Sequence, residues 1–192
     1  MNGVVPSVVR VGAGAVIAVM AVMAAALGAL PACGPIVVDH TPAGNILDTD
    51  TEDLEGGLGH WQAWYSTEIA RSTDGARRGR ASLRIGITAS DGWGVQLDNW
   101  PGFGAAPGPH RVELWVRIAA GSALDLDASV HWRDDSGKDL ETSVVMTRPD
   151  GTWQRFGDDL IAPVGTTRVW LEITGGEGRP GDALEVDEIF VL

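Results

Sequence analysis

Trp170 sits in the run Arg168 to Thr174, where Val169, Leu171 and Ile173 alternate with Arg168, Trp170, Glu172 and Thr174. Alternation of this kind sends one set of side chains to each face of a strand. The pattern itself therefore aims a large indole away from the core. A second run, Leu126 to Arg133, sets Asp127, Ser129, His131 and Arg133 opposite the apolar set Leu126, Ala128, Val130 and Trp132. An indole plane beside carboxylate, hydroxyl, imidazole and guanidinium groups can stack on a flat apolar surface and hydrogen-bond to polar groups around its rim. Eight Trp against three Phe and one Tyr is an unusual balance for a core, because Trp is semi-polar and seldom fully buried.

Catalytic constellations are poorly supported. Glu185-Val186-Asp187-Glu188-Ile189-Phe190 resembles the Glu-x-Asp-x-x-Glu strand of some jelly-roll glucanases, whose chemistry needs one carboxylate as nucleophile and another as acid. Phe190 stands where the third acid would be. The sequence has no Gly-x-Ser-x-Gly elbow, zinc-spaced His pair or phosphate loop. Its four His, at 40, 60, 110 and 131, are scattered. The expectation is a non-catalytic protein.

Composition narrows the partners. The 192 residues carry a formal charge of −12. Arg10 is the only charged residue before Cys33, so the rest holds 13 basic and 26 acidic side chains, or −13. Nucleic acid and anionic membrane surfaces are poor partners for such a chain. A single cysteine, Cys33, allows neither an internal disulfide nor a thiolate metal cluster.

The position of Cys33 is informative. Residues 11–32 are apolar and uncharged and follow Arg10, the layout of an export signal. Leu30-Pro31-Ala32-Cys33-Gly34 resembles the bacterial lipobox, which implies lipidation of Cys33 at the mature N-terminus. Pro31 departs from the usual pattern. An uncleaved membrane anchor, since about 20 apolar residues span a bilayer, and a plainly secreted product stay open beside the lipoprotein. All three place the folded part outside the cytoplasm. Residues 1–33 are thus read as signal or anchor, 34–44 as a Pro-containing linker, and 45–192 as one domain.

From Asn45 onward no window keeps a helical period. Short alternating runs recur about every ten residues between Gly, Pro and Asp, the rhythm of a sandwich or barrel. The pattern predicts strands over 45–48, 61–68, 82–88, 93–99, 110–119, 126–133, 142–148, 152–158, 167–174 and 184–191. Hairpin turns are expected at 135–138 (Asp-Ser-Gly-Lys) and 149–152 (Pro-Asp-Gly-Thr). Val112, Leu114, Val116 and Ile118 form the core face of one strand. The phase of alternation changes across Asp187-Glu188, which predicts a bulge.

Several motifs follow one another in a familiar order. They are Asp53-Leu54-Glu55-Gly56-Gly57 with Trp61, Gly79-Arg80-Ala81-Ser82-Leu83-Arg84-Ile85, and Pro107-Gly108 leading to Val112-Glu113-Leu114-Trp115-Val116-Arg117. Trp132-Arg133-Asp134, Gly151-Thr152-Trp153-Gln154-Arg155, Ala162-Pro163 and Val186-Asp187-Glu188-Ile189 complete the series. The succession resembles the carbohydrate-binding modules of families four, nine, sixteen and twenty-two. That resemblance implies an all-β fold, a two-sheet antiparallel jelly-roll β-sandwich of the galactose-binding-like type. It also implies that strands 93–99, 126–133, 142–148 and 167–174 share a sheet whose outer, concave face holds sugar chains.

On that analogy the face displays Gln96, Asp98, Ser129, His131, Arg133, Trp170 and Glu172, with Trp170 as stacking platform and the others as rim. Trp100 or Trp93 on the adjoining loop would supply a second aromatic. Trp61, Trp132 and Trp153 match packing positions, Trp115 would be covered by the N-terminal segment, and Trp64 is assigned to neither role. The resemblance further implies a structural Ca²⁺ held by Glu55 and Asp187, hard-oxygen ligands of the kind that ion takes. The expected function is a non-catalytic, exported module that binds a poly- or oligosaccharide and holds the cell or a partner enzyme to it. A cell-envelope structural or protein-interaction domain without a sugar site is the alternative, and a glycan-active hydrolase the third.

Overall fold

The structure is a computed structural model and describes residues 42–192. Cys33, the signal or anchor segment and all but the last three linker residues lie outside the described residues. One helical turn, α1 (Thr49–Asp53), precedes eleven strands. They are β1 (Trp61–Tyr65), β2 (Thr67–Ser72), β3 (Ser82–Ile87), β4 (Trp93–Leu97), β5 (Phe103–Gly104), β6 (Gly108–Ile118), β7 (Leu126–Arg133), β8 (Asp139–Thr147), β9 (Gln154–Ala162), β10 (Arg168–Gly175) and β11 (Ala183–Val191).

Every pairing between them is antiparallel. One sheet has the order β1-β4-β10-β7-β8, with β5 joining β10 beyond the end of β4; the other has the order β2-β3-β11-β6-β9. Strands expected to share a sheet, now β4, β7, β8 and β10, do so. The inner faces carry the residues that alternation selects: Val112, Leu114, Val116 and Ile118 meet Leu126, Ala128, Val130, Trp132, Val169, Leu171 and Ile173 in one buried cluster. This is the core of a two-sheet sandwich, in which the facing rows of alternate side chains interdigitate.

Three expectations about the strands and turns are corrected. Residues 45–48 form no strand. Asn45 Oδ1 accepts from the Val191 N–H at 2.9 Å, and Asp48 caps α1 by accepting from the Thr51 N–H at 2.9 Å. A five-residue helix is too short to leave a periodic trace, so α1 escapes pattern reading. The run 61–68 is two strands in different sheets, because Tyr65 adopts φ 51° and turns the chain across the corner. The turn 149–152 links β8 to β9 and so joins the two sheets instead of closing a hairpin. Gly151 does not have positive φ there; Asp150 Oδ1 instead accepts from the Thr152 N–H at 2.8 Å.

The turn at 135–138 does close a hairpin, between β7 and β8, with Gly137 at φ 82° and Asp134 Oδ1 accepting from the Ser136 and Lys138 N–H groups. A register shift between Asp187 and Phe190, with Glu188 at φ 49°, is the predicted bulge. Trp115 is covered by the 73–81 segment: the Arg77 guanidinium lies 3.5 Å from its ring centroid.

Candidate functional site

Register defines the outer face of the β1-β4-β10-β7-β8 sheet. Gln62 lies opposite Gln96, Gln96 opposite Glu172, Glu172 opposite Ser129 and Ser129 opposite Val144. These five side chains form one row across the sheet, and three of them, Gln96, Glu172 and Ser129, were expected together; Ser129, however, is buried at 7 % and does not open onto the face. One row away run Trp64, Gly94, Thr174, Asp127 and Met146. On the other side Trp170 lies opposite His131 and His131 opposite Thr142.

Trp170 is not an open platform. Its residue is only 7 % exposed, although it points outward from the sheet. The indole occupies the gap where β4 ends and β5 has yet to begin, and its Nε1–H donates to the Leu97 carbonyl at 2.7 Å. The Arg133 guanidinium covers the ring at 4.3 Å from its centroid, and His131 meets it edge-on at 5.0 Å. Alternation reports which face a side chain takes; it does not report what lies above it.

The exposed aromatic is Trp100, at 64 %, in the loop between β4 and β5. Arg133 lies 4.2 Å from its ring centroid as well, so the guanidinium is sandwiched between two indoles, an arrangement its delocalised plane favours. Arg133 Nε donates to Asp139 Oδ1 at 2.5 Å, while its Nη1 is buried without a hydrogen-bond partner. Burial opposes ionisation of Asp139, but the Arg133 hydrogen bond and charge, aided by His131, hold its carboxyl below the usual range. Gly137 underlies Trp100: a Cβ there would come within 2.6 Å of the indole. Trp93, the other candidate aromatic, is buried in the core at 1 %.

Two further aromatics flank the face at the opposite edge. Trp64 and Tyr65 stack with centroids 4.2 Å apart and planes 23° from parallel, and both are exposed. The sequence carried a signal for Trp64, since it is three positions from the inward-facing Trp61 and so must face outward on the same strand. Asp98 is held at the end of β4 by His60, whose Nδ1 lies 2.8 Å from Asp98 Oδ1 and whose Nε2 lies 3.2 Å from Asp48 Oδ2. His131 bridges two more carboxylates, Glu172 at 3.3 Å and Asp139 at 3.2 Å. The face thus offers aromatic planes at two ends and a polar row between them. Six residues of strand separate the Asp127 row from the Arg133 row, about 20 Å at about 3.3 Å per residue.

Glu55 and Asp187 lie on the outer side of the other sheet. Glu55 Oε1 accepts from the Arg80 and Ala81 N–H groups at 2.5 and 3.0 Å. Its Oε2 is buried without a hydrogen bond, with Arg80 Nε only at 3.5 Å. Asp187 Oδ2 accepts from the Arg77 and Arg78 N–H groups at 2.9 and 3.2 Å, and Oδ1 from the Glu188 N–H at 2.9 Å. Burial pushes the Asp187 carboxyl up to about 7, against those backbone N–H groups and the Arg77 charge, and Glu55 adds to the rise. An orphaned carboxylate oxygen beside a carboxylate short of positive charge is the donor chemistry a hard cation satisfies. Among the described residues no three His, Cys, Asp or Glu side chains group closely enough to hold an ion, so backbone carbonyls and water would complete a shell. Glu188 is already paired with Arg77 and with Arg78.

No sequence profile of a known family and no curated protein sequence matches the chain. Solved structures do. The xylan-binding domain of carbohydrate-binding module family 22 aligns with a TM-score of 0.57 at 17 % identity, covering 78 % of this chain and 96 % of that one. A family 61 module solved with β-1,4-galactotriose aligns at 0.54 and 17 % identity, over 77 % and 97 %. The Clostridium thermocellum xylanase fragment that joins a family 22 module to its glycoside hydrolase module aligns at 0.59 and 13 % identity, over 73 % of this chain but 27 % of that one. Residues 42–192 therefore have the β-sandwich fold of the carbohydrate-binding modules.

Proposed function

We propose that the protein binds a poly- or oligosaccharide across the outer face of the β1-β4-β10-β7-β8 sheet and performs no catalysis there. The single observation that carries this reading is the arrangement of exposed Trp100 and stacked Trp64-Tyr65 at two ends of the row Gln62, Gln96 and Glu172. A pyranose presents an apolar C–H face that stacks on aromatic planes and a hydroxyl rim that hydrogen-bonds to amide, carboxylate and hydroxyl groups. In this version of the site Trp100 takes the platform role, and Trp170 supports it from below through Arg133. The solved neighbours include modules described as xylan-binding or bound to a galactotriose, which supports the ligand class. Native electrophoresis of the full chain in gels containing xylan, galactan or glucan tests it: retardation that Trp100→Ala abolishes is expected, and free migration in every gel would refute it.

Ca²⁺ at Glu55 and Asp187 belongs to the same proposal, with a role in stability and none in sugar contact. Its support is the buried, unpartnered Glu55 Oε2 and the raised Asp187 carboxyl. The N-terminal segment adds export, with Cys33 acylated and the module held at the cell surface near a polysaccharide or a partner enzyme. The burial of Trp170 favours, as a second reading, an envelope interaction domain with this fold and no sugar site; a glycan-independent phenotype with no gel retardation would select it.

A further inference from the structure

We infer that the face selects against acidic glycans, with Glu172 as the specificity-determining residue; this rests on the glycan-binding reading above. The arginines at the margins of the face lie beside carboxylates. Arg133 is enclosed and bonded to Asp139, Arg148 makes a two-pronged pair with Asp125 at 2.5 and 2.8 Å, and Arg168 lies 3.8 Å from Asp135. Lys138, the only lysine, is exposed in the β7–β8 turn, beyond the Arg133 row and outside the central rows.

The acids in the middle are not balanced in the same way. Glu172, in the central row, shares the imidazole of His131 with Asp139. Asp127, one row on, pairs with no cation among the described residues. The flanking strands bring only neutral groups to these rows: Gln62 and Trp64 from β1, Gln96 and Gly94 from β4, Val144 and Met146 from β8. A chain of neutral sugars finds acceptors, amides and hydroxyls here. Within these two rows a uronate or sulfate finds no guanidinium or ammonium and meets a half-buried carboxylate, and like charges brought together out of bulk water repel strongly.

The test compares matched pairs in native affinity gels of the full chain: unsubstituted xylan against glucuronate-bearing xylan, and galactan against polygalacturonate. The expected result is retention by the acidic member weaker by about tenfold or more, the size of a single unfavourable charge contact. The ratio should shrink in Glu172→Gln and with rising salt, and Asp127→Asn should shrink it less; melting curves show that each variant is folded. Equal or stronger retention by the acidic member, or a ratio that Glu172→Gln and salt leave unmoved, overturns the inference alone. Free migration in all gels overturns the glycan-binding reading, and this inference with it.

Discussion

Asp187 gives the sharpest quantitative test of the buried carboxylates. Without a cation its carboxyl is pushed from 3.8 up to about 7, so the folded chain holds that proton more tightly than the unfolded chain. The associated stability is complete below about pH 4 and is lost as pH rises through about 7. The gap corresponds to about 4 kcal/mol, or roughly 10 °C in melting temperature for a domain of this size. Melting in EGTA between pH 5 and 8 should show most of that fall, and Asp187→Asn, which carries no titratable group, should flatten it. The variant loses one acceptor for the Arg77, Arg78 or Glu188 N–H, a cost of about 1 kcal/mol, so at pH 5 it should be the less stable protein and at pH 8 the more stable one. Adding Ca²⁺ at pH 8 should restore the wild type and leave the variant unchanged. A wild-type curve as flat as the variant's refutes the electrostatic reasoning. A sloped curve indifferent to Ca²⁺ would keep that reasoning and remove the metal.

Other perturbations act on the candidate site. Trp100→Ala and Trp64→Ala should each weaken glycan binding by roughly tenfold to a hundredfold, as expected for losing one stacked aromatic, measured by affinity gel or calorimetry. Arg133→Met should release Trp100, read as increased iodide quenching of tryptophan fluorescence, and weaken binding with it; Arg133→Lys should not restore either, because an ammonium cannot lie flat between two indoles. Gly137→Ala places a Cβ against Trp100 at a φ of 82° and should cost about 1–2 kcal/mol while also displacing the indole. Intact mass of the exported protein should show an acylated Cys33 N-terminus, and an unmodified or uncleaved chain would contradict that assignment.

Periodicity carried the architecture well where strands are long and one face is buried. β6, β7 and β10 were readable residue by residue because Val112, Leu114, Val116 and Ile118, or Val169, Leu171 and Ile173, can go nowhere but inward. Even the bulge at Asp187-Glu188 left a trace, as a phase change. What failed was set by groups far apart in sequence or by a single backbone angle. Trp170 has the right face but is roofed by Arg133, 37 residues earlier, and closed by the Leu97 carbonyl. The break at Tyr65 depends on a single positive φ, and the cover over Trp115 comes from Arg77 in a loop without periodicity. Trp100, in a loop, was legible only as a candidate, since no repeat pattern fixes what a loop residue stacks upon.

Glycan binding on this face requires that Trp100 be the surface a sugar meets. Calorimetric titration of the wild-type chain and of Trp100→Ala with xylo- and galacto-oligosaccharides measures this directly. Saturable binding in the wild type, lost or weakened at least about tenfold in the variant, is the predicted result; an affinity unchanged by removing that indole would contradict it.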